Sequence, residues 1–300
     1  SSTRLRIFSK RNALIVSIVV SAAVAFLVGR ASSPLFLYGP LLGPYLDGDG
    51  ARGRRKAVKT LIQLAAEMDG DVYFHNDAEF CDASEVWQNG ISPPLAVIEV
   101  ASEADVQLAL PALAEIYLKR GIPFRVRSGG HSYAGYSTKE RGIMLSLKRL
   151  NHYEFDESTG IATLQQAVQV QDFLDGILVP NGFGGVVGEC PGVALGFVLG
   201  GGYGFLSRKY GLGCDNVISA RVVLADGSVV VASETEAPDL FWALRGAGQN
   251  SFGVVTQIDY QLHPSQDTQL VVTGKVPLDP AFLTTMGKRY KTSPGEFGFL

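Results

Sequence analysis

The residues best placed to do chemistry lie where an apolar strand breaks into glycines, Phe124-Arg125-Val126-Arg127-Ser128-Gly129-Gly130-His131-Ser132-Tyr133. Consecutive Ser and Gly residues leave backbone N–H groups free to hold an anion, and Arg127 would add charge suited to a diphosphate. A neutral imidazole keeps a free lone pair near neutral pH, so His131 at the tip of such a cradle is a candidate nucleophile toward an electrophilic cofactor. The loop also nearly spells a nucleophile elbow, since Gly130-His131-Ser132-Tyr133-Ala134 is close to Gly-x-Ser-x-Gly. An elbow needs a helix directly after its serine. Here Gly135 and Gly142 follow with no apolar period, which argues against a hydrolase.

A second glycine-rich stretch runs Gly184-Gly185-Val186-Val187-Gly188-Glu189-Cys190-Pro191-Gly192, then Gly196, then Gly200-Gly201-Gly202-Tyr203-Gly204. A dinucleotide fingerprint of the Rossmann kind would require a parallel βαβ unit with an acidic residue about 20 positions on. Asp226 sits instead in a hairpin turn signal, so a nicotinamide cofactor is not expected. The three cysteines, Cys81, Cys190 and Cys214, have no paired spacing, and the histidines at 75, 131, 152 and 263 are scattered; neither pattern reads as a metal site.

The elements that must position these loops can be read from apolar spacing. Leu95–Val100 is a short strand. Ser102-Glu103-Ala104-Asp105 reads as a capping box before a helix bearing the apolar positions Val106, Leu108, Leu110, Leu113, Ile116 and Tyr117. Strands follow at Phe124–Arg127, Ile143–Leu147, Tyr153–Phe155 and Ile161–Leu164, then a helix at Val168–Leu178. Ile218–Leu224 and Val229–Ala232 flank Asp226-Gly227 as a hairpin; a helix at Pro238–Leu244, with Phe241 and Trp242 expected in the core, precedes a strand at Phe252–Leu262. Helices and strands mix without a strict βαβ repeat, which predicts an α+β fold.

With 46% hydrophobic and 18% charged residues, 300 residues suffice for one or two globular domains. A net charge of -3 without a basic face excludes nucleic-acid binding. Near the N-terminus, residues 12–29 carry no charge, follow Arg4, Arg6, Lys10 and Arg11, and precede Arg30. This pattern predicts a transmembrane or signal-anchor helix with a lumenal or extracellular body, secretion after signal cleavage being the alternative. Residues 30–70 read as a stalk running into a short helix at Lys56–Met68, the compact domain as 71–265, and 266–300 as the start of a second, truncated domain of a longer protein.

Six blocks in one order carry a family resemblance: Arg127-Ser128-Gly129-Gly130-His131-Ser132, Gly188-Glu189-Cys190-Pro191, Gly200-Gly201-Gly202-Tyr203-Gly204, Ser207-Arg208-Lys209-Tyr210-Gly211-Leu212, Cys214-Asp215-Asn216, and Asp239-Leu240-Phe241-Trp242 with Phe252-Gly253-Val254-Val255. Over about residues 91–265 they resemble flavoproteins with a PCMH-type FAD-binding domain of two α/β subdomains, and among these the berberine-bridge-enzyme-like oxidases. The resemblance implies FAD held by Arg127, Ser128, Gly129, Gly130, His131, Ser132, Gly188, Cys190, Val193, Gly196, Gly253 and Val255. It also implies a covalent bond from His131 to the flavin and, in bicovalent members, a second from Cys190. Members of the family usually place ten residues between that cysteine and the glycine triplet; here nine intervene, so Cys190 reads either as a second attachment or as a packed thiol. The implied activity is an oxidase taking hydride from an alcohol, sugar or similar small molecule and passing electrons to oxygen. Its alternatives are a dehydrogenase with another acceptor and a silent membrane-tethered flavin module. No catalytic base is named, because the family draws it largely from the region after the FAD domain.

Overall fold

In a computed structural model of the chain the described residues are 50–88, 90–249, 252–265 and 279–292. The apolar run at 12–29, the stalk at 30–49 and the strand expected at 270–274 lie outside them. Among the described residues no helix is long and apolar enough to cross a membrane.

Two sheets organise the fold, and their arrangement is α+β. The first has strands β1 (Asp71–Phe74), β2 (Ala96–Glu99), β3 (Phe124–Arg127) and β4 (Ile143–Ser146), in the order β1-β2-β4-β3. β2 and β3 both run parallel to β4, while β1 is antiparallel to β2. Every residue of β2 and β4 is buried, as expected of central parallel strands covered on both faces. Helices α1 (Ala51–Glu67) and α3 (Glu103–Arg120) cover one face through Ala57, Val58, Leu61, Val106, Leu110 and Leu113. A short helix, α2 (Phe80–Ser84), closes the other with Phe80 and Ala83 against Val97 and Met144. Among the described residues, packed structure includes α1, upstream of the boundary near 70 read from sequence; the arginines that suggested a stalk include Arg54, which is buried on the helix.

The helix α3 shows how local chemistry sets a boundary. Ser102 Oγ accepts from the Asp105 amide at 3.3 Å, one half of a capping box. The other half is absent: the Asp105 carboxylate reaches away from the cap to accept from the amides of Asp69 (3.0 Å), Gly70 (2.8 Å) and Ala101 (2.8 Å), tying α1 to the helix start. Lys119 and Arg120 complement the helix dipole at the far end, and Gly121, with φ of 66°, turns the chain out.

The second sheet, β5-β6-β10-β8-β9, is antiparallel throughout, with β5 (Tyr153–Asp156), β6 (Ile161–Gln165), β8 (Val217–Val223), β9 (Val229–Ser233) and β10 (Val254–Gln261); the two-residue strand β7 (Phe183–Gly184) lies outside it, paired with His263–Pro264. The Asp226-Gly227 turn forms as expected, Gly227 adopting φ of 85° and Asp226 Oδ1 accepting from the Ser228 amide at 2.9 Å. Helical segments Val170–Phe173 (α4), Leu174–Leu178 (π-helical) and Val179–Asn181 (α5) run on from one another. They pack with α6 (Gly196–Leu199) and α8 (Pro238–Ala247) on this sheet through Phe173, Ile177, Val198, Phe241 and Leu244. Trp242 departs from the sequence reading. It stands 77% exposed, on the solvent side of α8, because the helix presents only Phe241 and Leu244 to the core.

The subdomains are joined where α3 meets β8 and β10. Arg221 donates to both Glu103 oxygens (Nη2 at 2.6 Å, Nε at 3.2 Å), and Thr256 Oγ1 donates to the same carboxylate at 2.6 Å. These hydrogen bonds from Arg221 and Thr256 hold the Glu103 carboxyl below its usual range against the opposing effect of partial burial.

Candidate functional site

Between the subdomains lies a cleft of about 310 Å³. The first subdomain contributes Val126, Leu147 and the loop after β3; the second contributes Gln166, residues between 193 and 199, Gly248, Gln249 and Gly253 to Val255. Nine of the residues singled out in the sequence line it: Ser128, Gly129, Gly130, His131, Ser132, Val193, Gly196, Gly253 and Val255. Loops about 60 and 120 positions apart are brought together by the two sheets.

The loop after β3 is shaped for close approach. A methyl carbon on Gly129 would fall 2.6 Å from the Gly192 carbonyl oxygen, so only glycine lets this loop touch the 192–194 backbone. Gly130 has φ of 71°, which turns the chain under the cleft. Among the described residues, none of the amides of Gly129, Gly130, His131, Ser132 and Tyr133 donates to a protein acceptor. Successive free amides facing a cavity form a nest suited to an anionic group such as a diphosphate. Ser128 Oγ donates to the Gln166 carbonyl at 2.7 Å and so pins the loop to the second subdomain.

His131 is half-buried at the cleft wall. Its ring lies against Gly192 on one side, where an added methyl would come within 2.7 Å of Cε1. On another side it meets Trp87, with centroids 5.7 Å apart and planes tilted by 39°. Trp87 is itself held by its amide donating to the Gly130 carbonyl at 3.0 Å and by an edge contact with Tyr133 at 4.7 Å. Nothing in the sequence around Trp87 marked it for this role; the contact spans more than forty residues.

Three residues expected at the cofactor stand elsewhere. Arg127 does not face the cleft: it is 7% exposed, with Nη1 donating to the Ala83 carbonyl (3.4 Å) and Ser146 Oγ (3.3 Å). Strand alternation decides this, because Val126 takes the cleft side of β3 and Arg127 the opposite side. Burial lowers the pKa of its guanidinium, and nearby Glu99 and Glu85 oppose the shift. Gly188 lines a separate small apolar cavity of about 20 Å³ behind Val193. Cys190 is half-buried and absent from the cleft wall; its carbonyl accepts from the Val193 amide at 3.1 Å in the turn that presents Gly192 to His131.

The glycine triplet and the Cys214-Asp215-Asn216 block serve architecture. The Gly213 and Cys214 amides donate to the Gly202 and Gly201 carbonyls at 2.7 and 2.8 Å. Asn216 Nδ2 donates to the Tyr210 and Leu212 carbonyls, and His263 Nε2 lies 2.7 Å from Asn216 Oδ1 while stacking on Tyr210 at 3.8 Å. Gln249 also went unmarked in the sequence. It closes the cleft with Nε2 donating to the Gly196 carbonyl at 3.1 Å.

Residues 94–233 match the family of FAD binding domains, so the chain carries a PCMH-type FAD-binding domain. Its relatives lie among the berberine-bridge-enzyme-like oxidases. (R)-6-hydroxynicotine oxidase of Paenarthrobacter nicotinovorans is 36% identical over 212 residues, 69% of this chain and 44% of that protein. The structure of a berberine-bridge-enzyme-like protein of Physcomitrella patens superposes with a TM-score of 0.62 at 28% identity, covering 68% of this chain and 44% of that one. Glucooligosaccharide oxidase of Acremonium strictum, whose FAD is described as 6-S-cysteinyl and 8α-N1-histidyl, superposes at 0.60 with 31% identity, covering 68% of this chain and 42% of that one. The chain therefore spans less than half the length of the relatives it matches.

FAD fits the residues present. The free amides of the 129–133 loop suit its diphosphate, and the glycines permit close approach.

Proposed function

We propose that this chain is the cofactor-binding half of an FAD-dependent oxidase acting on an alcohol, a sugar or a similar small molecule, with His131 as the covalent anchor of the cofactor. Bound there, FAD would supply two-electron redox chemistry, hydride from a substrate C–H bond being taken up and the electrons passed on to oxygen to give hydrogen peroxide. The observation that carries the reading is the seat of His131: an imidazole wedged between Trp87 and Gly192 at the wall of a cleft whose floor is a loop of free amides. Ser128 and Gly129 hold that loop against the second subdomain, so the two halves of the cleft keep a fixed spacing. Covalent attachment of an imidazole withdraws electron density from a flavin and strengthens it as an oxidant, in keeping with oxidase chemistry. Alcohols and sugars are favoured because relatives are named as oligosaccharide oxidases.

The reading includes residues 12–29 as a signal anchor, with the folded body lumenal or extracellular; it rests on an uncharged apolar run flanked by basic residues. Carbonate extraction and protease protection of the protein in microsomes test that part.

The anchor is tested by expressing the longest natural form through a secretory pathway, running it on a denaturing gel and viewing flavin fluorescence in acid. Peptide mapping should then place flavin mass on the peptide holding His131. A protein that stays colourless after reconstitution with FAD would overturn the reading.

A further inference from the structure

Thr256 follows Val255 of the cleft wall, is itself absent from that wall, and is buried. It falls at a β-bulge: β10 pairs Val255 with Val222 of β8 and then Gln257 with Arg221, which leaves Thr256 as the extra residue. A bulge breaks strand alternation and re-aims the side chain it carries. Val254, Val255 and Thr256 are accordingly buried in a row, and Thr256 Oγ1 donates to Glu103 at the start of α3 at 2.6 Å.

From this residue hydrogen bonds run on to the His131 loop. The Thr256 carbonyl accepts from the Gln166 amide at 3.0 Å, and the Gln166 carbonyl accepts from Ser128 Oγ at 2.7 Å. Ser128 stands three residues before His131. Both ends of the chain, Glu103 on α3 and Ser128 after β3, belong to the first subdomain, while Thr256 on β10 and Gln166 after β6 belong to the second. Packed interiors have low compressibility, so a shift at the Glu103 end is passed on to Ser128.

We propose that Thr256 is a positioning residue for covalent attachment of the cofactor: by fixing the Gln166 backbone, it sets where Ser128 holds the His131 loop. The inference rests on the reading of His131 as the anchor and adds to it a residue outside the cleft. Attachment breaks a C–H bond of the flavin methyl group and the N–H bond of the imidazole and forms one C–N bond. The two protons and two electrons released pass to oxygen, giving hydrogen peroxide.

The test uses the full chain, prepared free of FAD by riboflavin starvation, and follows in-gel flavin fluorescence after FAD is added. Thr256→Val keeps the branched shape and loses the hydroxyl; attachment should slow about tenfold, short of the roughly hundredfold that a 1 Å misplacement costs. Thr256→Ser keeps the hydroxyl and should restore most of the rate. With His131→Ala, where flavin binds reversibly, Thr256→Val should leave the Kd for FAD within about twofold. Ser128→Ala removes the far end of the chain, so adding Thr256→Val to it should slow attachment no further. An unchanged rate in Thr256→Val overturns the proposal, as does a multiplied effect in the double variant or a Kd that rises as far as the rate falls. Where Thr256→Val does not fold, Glu103→Gln takes its place in the same cycle with the same expected outcome, because it removes the charge from the acceptor of that hydroxyl. A parent protein that binds FAD and never attaches it would instead overturn the reading of His131, and this inference with it.

Discussion

The imidazole of His131 rests on the backbone of Gly192, so closely that a methyl carbon there would come within 2.7 Å of ring Cε1. Gly192 follows Cys190 by two residues, so this one contact fixes the histidine loop against the cysteine loop. Gly192→Ala should push the imidazole off its seat and reduce covalent flavin to a small fraction of the wild-type content, with the fold retained. Absorbance of the acid-precipitated protein gives the ratio, and an undiminished ratio would show that the contact does not set the position of the ring.

Trp87 supports the same ring from the other side, so Trp87→Leu should slow flavin attachment severalfold while changing stability little, since the indole is 48% exposed. The time course of in-gel fluorescence after adding FAD to flavin-free protein measures this. Trp87→Phe keeps an aromatic face and should restore most of the rate.

Asp105 is 2% exposed and accepts from three backbone amides at 69, 70 and 101. Asp105→Ala leaves those donors without their carboxylate and should destabilise the protein by roughly 3 kcal/mol or more. Urea unfolding at neutral pH checks the value, and a loss below about 1 kcal/mol would contradict it.

The Glu103 carboxyl, held below its ordinary 4.5 by Arg221 and Thr256, stabilises the junction of the subdomains in its ionised form. Because its folded pKa is depressed, that contribution is complete above pH 4.5 and is lost as pH falls through the folded value. Glu103→Gln should therefore lower Tm at pH 7, and the gap from wild type should narrow in acid. A gap that stays constant across pH 7 to 3 would show that ionisation of Glu103 does not hold the junction.

Much of this protein is determined within short stretches of chain. Asp226-Gly227 makes its hairpin because a turn with positive φ is a local demand that glycine meets, and Ser102 caps α3 because its hydroxyl is three residues from the amide it accepts. The Ser-Gly-Gly-His loop announces itself for the same reason: small residues in sequence free the amides that flank them. Tertiary structure decided the rest. Which side of β3 faces the cleft turned Arg127 away from it, and packing between distant loops brought Trp87 and Gly192 against His131 and Gln249 to the cleft wall. These relationships depend on the registers of two sheets and on their junction through Glu103, Arg221 and Thr256, contacts whose partners lie 118 and 153 residues apart, beyond the reach of any local pattern.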